Sequence, residues 1–256
     1  MIEMASQPSD NHVIAFLHTV AIYSWIIVAT LIIASTIVLV SFIPKSENFI
    51  HNLARVWGRS ILWVSRVKVQ IKGREHLPSS GAVIFMSNHQ SNFDIPVFFS
   101  ALPVQFRWLA KAELFKIPIF GRAMRGAGYI SIDRSDPRSA LRSLKKAAAN
   151  IRNGKSVLIF PEGTRSNDGK LLPFKTGGFS LAIDAGVPII PLSIQGTRRV
   201  MAKGDKLIHR GRVCITLMPA VETSAYTRKT KKALMEQVQI SISAAMTFEN
   251  DRGHDG

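Results

Sequence analysis

The segment Ser87-Asn88-His89-Gln90-Ser91-Asn92-Phe93-Asp94 joins an apolar run to a predicted helix. Residues 82–86, Ala-Val-Ile-Phe-Met, are typical of a buried strand, and residues 95–99, Ile-Pro-Val-Phe-Phe, of the opening of a helix. The segment therefore places a histidine and a carboxylate at a strand-to-helix corner, where α/β folds commonly position functional residues. We predict an α/β domain organised around this corner.

His89 and Asp94 can meet only if the helix begins between them. On a continuous helix, two side chains five residues apart differ by roughly 140° in direction. Pro96 favours a start near Asp94, because proline is tolerated early in a helix. An ionised Asp94 would then fix the tautomer of His89 and leave the other ring nitrogen free to act as a base. The alternative is a surface histidine beside an aspartate that caps the helix.

Composition limits the size of the protein and the kind of partner it can have. The chain has 256 residues, of which 46% are hydrophobic, which suffices for one substantial α/β domain and an appendage. The net charge of +16 favours anionic partners: phosphorylated substrates, acidic membrane surfaces or nucleic acid. The single cysteine, Cys214, excludes an intrachain disulfide, and its strand-like surroundings indicate a core position.

The amino end is apolar enough for a membrane. Residues 13–43 contain no Asp, Glu, Lys or Arg, and this run exceeds the roughly 20 residues that a spanning helix needs. A secretory signal would have a basic start and a much shorter apolar region, so cleavage is not expected. Basic residues follow from Lys45 to Arg74, which by the positive-inside tendency places the downstream domain in the cytoplasm. Whether the helix crosses the bilayer or dips into one leaflet stays open.

Residues 49–67 have the pattern of an amphipathic helix, with arginines between the apolar positions. Such a helix could lie at the level of the lipid headgroups, or it could pack on the globular domain. Both interpretations fit the pattern equally well.

Two later segments have the same strand-then-loop arrangement, and a third is a strand. Residues 128–134 form a short predicted strand that ends in Asp133-Arg134, and residues 156–160 a buried strand followed by Pro161-Glu162-Gly163-Thr164-Arg165-Ser166. The guanidinium of Arg165 could bind a phosphate bidentately. Each loop could also be an ordinary turn. Residues 187–194 are apolar with two prolines, which favours an edge or irregular strand, or one whose carbonyls serve something other than a neighbouring strand.

The remaining helices and strands are predicted from the spacing of apolar residues and from residues that typically begin or end a helix. Residues 106–111 form a predicted strand that ends at Lys111, where the side chain could reach a cleft or simply be solvated. A helix is predicted to begin after Asp136 and to end at Asn153-Gly154. A last helix is predicted over residues 228–246, and residues 249–256 are predicted to be disordered.

Taken in order, four blocks of the sequence resemble the glycerolipid acyltransferase family, and within it the 1-acylglycerol-3-phosphate acyltransferase branch. The blocks are residues 88–94, 128–134, 160–166 and 187–194. The resemblance implies a single acyltransferase domain over residues 67–248 with a mixed central sheet flanked by helices. Residues 1–66 would form an N-terminal membrane-associated helical segment, and residues 249–256 a tail.

The resemblance also implies roles for individual residues. His89 and Asp94 match the catalytic pair of the family's H-x4-D motif. Six residues match positions that bind or shape the site for the acceptor's phosphate: Lys111, Arg134, Glu162, Gly163, Thr164 and Arg165. Lys175 is a weaker candidate.

The implied reaction is acyl transfer from a thioester to the 2-hydroxyl of 1-acylglycerol 3-phosphate, a lysophosphatidate, which gives phosphatidate. His89 would take the hydroxyl proton as the oxygen attacks the thioester carbonyl. The donor would be acyl-CoA or acyl carrier protein, with no metal and no other cofactor. Backbone N–H groups near Gly163 are candidate oxyanion donors. Both lipids stay in the leaflet, so we expect a membrane location with the domain on the cytoplasmic face.

There are two alternatives to this function, one with a different substrate and one that is not an enzyme. The domain could acylate another lysolipid, or the chain could be a non-enzymatic basic adaptor at the membrane surface. Nucleic-acid binding has the weakest support, because the basic residues are dispersed and the amino end is apolar.

Overall fold

The computed structural model describes residues 12–133 and 136–252. The helices are α1 (His12–Val40), α2 (Glu47–Val64), α3 (Asp94–Ala101), α4 (Phe120–Gly126), α5 (Pro137–Arg152), α6 (Gly177–Ala185), α7 (Thr197–Val200) and α8 (Lys231–Arg252). The strands are β1 (Val67–Lys72), β2 (Ile84–Ser87), β3 (Arg107–Lys111), β4 (Ile130–Ile132), β5 (Val157–Ile159), β6 (Ile189–Gln195) and β7 (Gly211–Leu217).

The strands form one mixed sheet in the order β1-β7-β6-β2-β5-β3-β4. Strands β6, β2, β5, β3 and β4 run parallel to one another, while β7 runs antiparallel to β6 and carries β1 parallel to itself. The predicted α/β class with a mixed central sheet is confirmed. Because β2, β5, β3 and β4 share one direction, the loops that follow them meet at one edge of the sheet.

The two faces of the sheet are covered by different helices, as alternation along the strands requires. Phe85 of β2 points into the same apolar cluster as α2 and α3, while its neighbours Ile84 and Met86 point into a cluster with α5, α6 and α8. Both faces are therefore buried, as is usual for parallel strands.

The amphipathic helix α2 packs on the globular domain. Its buried face includes Ile50, Ala54, Ile61 and Leu62, and it contacts α3 along much of its length. The approach is close at Gly58, where a Cβ atom would lie 2.8 Å from a backbone oxygen of α3. The packed interpretation of residues 49–67 is therefore confirmed.

Helix α1 lies against α2 and α4 and leaves much of its apolar surface uncovered. Ile22, Ala34 and Ile37 are buried in these contacts. The segment Ile14–Val40 is 27 residues long and apolar enough to cross a membrane, and only 22% of its most apolar window is buried. It is the one such helix among residues 12–133 and 136–252. A core helix of a soluble protein would be mostly buried instead.

Strand β6 corrects the expectation of an edge or irregular strand at residues 187–194. It lies inside the sheet, between β2 and β7. The backbone oxygen of Pro191 accepts a hydrogen bond from Met218, just beyond the end of β7. Because the N–H and C=O of a strand residue point to the same side, the N–H that Pro191 lacks would also face this end of β7. The proline therefore removes no bond to β2, and the inference from proline alone was wrong.

The ends of two helices can be compared with the sequence. The Asp136 side chain accepts hydrogen bonds from the N–H groups of Arg138 and Ser139, which confirms the predicted start of α5. Helix α8 begins at Lys231 and extends to Arg252, so the predicted disordered tail from residue 249 was placed too early. Residues 253–256 lie outside the described residues.

Candidate active site

The candidate site lies at the edge of the sheet where β2, β5 and β3 end. The loop after β2, residues 88–93, is here called the histidine loop, and the loop after β5, residues 161–170, the arginine loop. The backbone N–H of Ser166 donates to the backbone oxygen of His89 at 2.8 Å, so the two loops are in direct contact.

His89 and Asp94 meet as the sequence predicts. Nδ1 of His89 lies 2.6 Å from Oδ2 of Asp94, with the carboxylate fully buried and the imidazole 16% exposed. The same oxygen also accepts the N–H groups of Gln90 at 2.8 Å and Ser91 at 3.0 Å. The carboxylate therefore closes the histidine loop rather than capping α3, and the interpretation as a surface histidine beside a capping aspartate is wrong.

The ring of His89 is also held by an aromatic contact. Phe160 stacks on it with ring centroids 3.8 Å apart and planes 8° from parallel. Phe160 itself stacks against Trp108 of β3. The imidazole thus has a fixed plane as well as a fixed partner for Nδ1, which leaves Nε2 as the nitrogen available for chemistry. Sequence reasoning missed Phe160, although its place directly after β5 and before Pro161 was a usable signal.

Asn88 fixes the start of the histidine loop. Its amide nitrogen donates to the backbone oxygen of Ile194 at 2.8 Å, and its amide oxygen accepts the N–H of Ile194 at 2.7 Å. The side chain is 1% exposed, so it replaces the missing ladder bonds where β2 leaves the sheet. This clamp was also not predicted from the sequence.

Glu162 lies beneath the two loops and does not line the cavity. It is 2% exposed, and its two carboxylate oxygens accept the N–H groups of His89 at 2.7 Å and Leu172 at 2.8 Å. Burial raises the pKa of Glu162 to about 7, the charge of Asp94 adds to the rise, and the two N–H groups oppose it. Glu162 thus supports the His89 backbone, and its predicted part in the phosphate site stays a prediction.

A cavity of ≈ 510 Å³ opens beside the imidazole, within the range typical of small-molecule sites. Its lining includes His89, Lys111, Gly163, Thr164 and Arg165. The rest of its wall is largely apolar and comes from α1, α2, α3, β3 and α4, including Thr30, Ile33, Ala34, Ile37, Ala54, Trp57, Ile95, Phe99, Phe120, Ala123 and Met124. The contribution of α1 and α2 to the cavity wall was not predicted. The sequence indicated an anchor for α1 and left open, for α2, a place at the headgroups or on the globular domain.

The predicted substrate-binding residues are brought together in part. Lys111, Gly163, Thr164 and Arg165 share the cavity with His89. Arg134 lies outside the described residues, so its predicted role stays a prediction; β4 ends at Ile132, in register with Lys111. Lys175 does not line the cavity.

The turn at Gly163 narrows the choice of oxyanion donors. Gly163 has a positive φ of 73°, and its N–H donates to the backbone oxygen of Phe160 at 3.0 Å. Among the described residues, the N–H groups of Thr164 and Arg165 have no protein acceptor, so these two are available as donors where that of Gly163 is not. Among residues 12–133 and 136–252, no group of three or more His, Cys, Asp or Glu side chains could hold a metal ion.

The fold and this site together define the class of protein. Residues 68–195 match the family model described as Acyltransferase, and the chain belongs to this family. The resemblance seen in the four blocks is thereby confirmed at the level of the family.

Particular relatives carry a more specific name. The chain is 38% identical over 72% of its length to the chloroplastic 1-acyl-sn-glycerol-3-phosphate acyltransferase LPAT1 of Arabidopsis thaliana, of which it covers 51%. It is 33% identical over 93% of its length to a 1-acyl-sn-glycerol-3-phosphate acyltransferase of Chlamydomonas reinhardtii, of which it covers 73%. The chain thus spans about half the length of the Arabidopsis relative.

A solved structure shares the whole fold. The crystal structure of the 1-acyl-sn-glycerophosphate acyltransferase PlsC from Thermotoga maritima superposes with a TM-score of 0.79 and 26% sequence identity. The match covers 93% of this chain and 97% of the PlsC chain, so it includes the N-terminal helices as well as the sheet.

Proposed function

We propose that this protein transfers a fatty acyl group from an acyl thioester to the 2-hydroxyl of 1-acylglycerol 3-phosphate. The observation that carries the proposal is the cavity beside His89, whose lining includes the cations Lys111 and Arg165 together with a largely apolar wall. The phosphate of a lysophosphatidate needs the cations, the acyl chain needs the apolar wall, and the reaction needs one base close to both. The names of the relatives support the same acceptor.

In the proposed mechanism His89 acts as a general base. Nδ1–H donates to Asp94, and Nε2 takes the proton of the 2-hydroxyl as its oxygen attacks the thioester carbonyl carbon. The C–S bond then breaks, and the thiolate leaves with the proton that the imidazolium returns. Asp94 stabilises the imidazolium, and the N–H groups of Thr164 and Arg165 are the proposed donors to the oxyanion.

The cationic residues select the acceptor. Arg165 and Lys111 would bind the phosphate monoester, which fixes the distance from the headgroup to the reacting hydroxyl. A lysolipid without a free phosphate would lose these contacts. The two cations therefore favour lysophosphatidate over other lysolipids.

We also propose that the protein works at a membrane, with the domain on the cytoplasmic face. Large apolar side chains of α1 are exposed, among them Leu17, Ile32 and Leu39, and a lipid phase would cover them. The basic residues that follow α1 support the cytoplasmic side. Held in this way, the enzyme would meet its acceptor within the leaflet.

The test uses membranes that contain the protein, labelled 1-acylglycerol 3-phosphate, and either acyl-CoA or acyl carrier protein as donor. Wild type should form phosphatidate with at least one donor. His89→Ala should lose nearly all turnover and still fractionate with membranes, whereas His76→Ala, outside the cavity, should match wild type. Phosphatidate formed equally by His89→Ala would refute the mechanism and favour the adaptor.

A further inference from the structure

The segment that joins β6 to β7, residues 196–210, lies beyond the region matched by the family model and beyond the four sequence blocks. It begins with α7 and then crosses to β7. Thr197 and Val200 are fully buried and Ile208 is 2% exposed, so the segment is packed into the domain at both ends. We call it the crossing segment.

The crossing segment holds both loops of the candidate site. The hydroxyl of Ser91, in the histidine loop, donates to the backbone oxygen of Met201 at 2.7 Å. Nζ of Lys203 donates to the backbone oxygen of Arg165 at 2.9 Å, and Nε of Arg198 donates to that of Asn167 at 3.2 Å. The last two contacts both lie in the arginine loop.

The contact of Lys203 has a particular geometry, because the oxygen of Arg165 and the N–H of Ser166 belong to one peptide group. This N–H donates to the backbone oxygen of His89 at 2.8 Å, while Lys203 binds the oxygen at 2.9 Å. The peptide is therefore held from both sides. One side ties it to the residue that carries the base, and the other to the crossing segment.

The consequence falls on the Arg165 side chain. Arg165 lines the cavity, and among the described residues no carboxylate or carbonyl binds its guanidinium. Its position relative to the imidazole is then set by the backbone from which it extends. A charge-assisted bond from Lys203 to that backbone is the stronger kind of hydrogen bond.

We propose that Lys203 is a positioning residue for the acceptor phosphate, acting through Arg165 by clamping the Arg165–Ser166 peptide. The inference rests on the proposed function, since it assumes that Arg165 binds that phosphate. Lys203 sets how far the phosphate lies from His89, and so how closely the 2-hydroxyl of the acceptor approaches the base.

The first experiment measures the kinetics of Lys203→Met with lysophosphatidate. Loss of the clamp should raise the KM for lysophosphatidate about tenfold, the factor expected for one hydrogen bond to a charged group. The KM for the donor should stay within about twofold. Lys206→Met is the matched control, because Lys206 is exposed in the same segment and makes no such contact, and it should behave as wild type. Lys203→Arg, which keeps a cationic donor, should restore most of the affinity.

A double variant separates positioning from direct contact with the phosphate. If Lys203 acts through Arg165, then Lys203→Met should add almost nothing in an Arg165→Met background, since the two effects share one path. Multiplicative effects would show that Lys203 binds the phosphate itself and would overturn the inference.

A neutral acceptor supplies the remaining control. With 1-acylglycerol, which lacks the phosphate, Lys203→Met and wild type should have equal rates, because the clamped cation has nothing to bind. An equal loss with both acceptors would mean general damage to the fold and would also overturn the inference. If Lys203→Met does not fold, Lys203→Gln goes through the same comparisons. Absence of phosphatidate from wild type with either donor would instead refute the proposed function.

Discussion

Replacing Asp94 by asparagine separates the charge of the carboxylate from its hydrogen bonds. Only Oδ2 of Asp94 is engaged, accepting from His89, Gln90 and Ser91, while Oδ1 is buried without a partner among the described residues. An asparagine can therefore place its amide oxygen at the Oδ2 position and its amide nitrogen at the Oδ1 position. The tautomer and orientation of His89 are then kept, and the negative charge is lost.

The size of the effect follows from the geometry of the pair. With Nδ1 and Oδ2 2.6 Å apart, the centres of charge of imidazolium and carboxylate lie roughly 4 Å apart. At an effective dielectric constant of about 20, their attraction is about 4 kcal/mol, which corresponds to about a thousandfold in rate. The proton is only partly transferred in the transition state, so we expect kcat to fall by about 10² to 10³.

The assay compares initial rates of phosphatidate formation for wild type, Asp94→Asn and Asp94→Ala at saturating donor and acceptor. The melting temperature is measured alongside. Asp94→Ala leaves two buried N–H groups unpaired, so it should unfold at a lower temperature than Asp94→Asn. A kcat for Asp94→Asn within about threefold of wild type would refute the reasoning about charge. Equal destabilisation of the two variants would refute the assignment of the hydrogen bonds.

Three further results are expected. Because burial raises the pKa of Glu162 to about 7 from 4.5, its contribution to stability is present below about pH 4.5 and is lost as the pH rises through about 7. The melting temperature of Glu162→Gln minus that of wild type should therefore increase as the pH rises from about 4.5 to about 7, and should stay constant above that range. A difference that does not change with pH would contradict the raised pKa of Glu162. Gly58→Ala, which would place Cβ 2.8 Å from a backbone oxygen of α3, should cost about 1–3 kcal/mol in chemical denaturation, while Gly177→Ala, with only an ordinary contact at 3.6 Å, should cost much less. Ala34→Phe should fill the cavity wall and slow transfer from long-chain donors more than from short-chain donors, whereas Ile32→Phe, on the exposed face of the same helix, should not alter that ratio.

The parts of the fold that could be predicted from the sequence depend on local patterns. The strand-to-helix corner at residues 87–94 predicted that His89 and Asp94 would meet, because the argument needed only the start of one helix. The Asp136 cap likewise predicted the start of α5 from a single residue. Membership in the acyltransferase family followed from four blocks in the right order.

The parts that could not be predicted depend on contacts between distant residues. Pro191 is compatible with an interior strand only because β7 ends beside it, and nothing near residue 191 in the sequence shows this. Glu162 matched a family position associated with the substrate, but its burial and its bond to His89 depend on how two loops cross. The clamp of Asn88 on Ile194 joins residues 106 positions apart, so no local window contains it.

The wall that α1 gives to the cavity affects how the protein can be handled. A shortened chain that begins at α2 would retain the imidazole, its carboxylate and the arginine, yet its cavity would be breached where Thr30, Ile33, Ala34 and Ile37 had stood. Inactivity of such a soluble fragment would then say nothing about the need for a bilayer. A detergent should be chosen so that its tail does not enter the cavity, since such a tail would compete with the fatty chain.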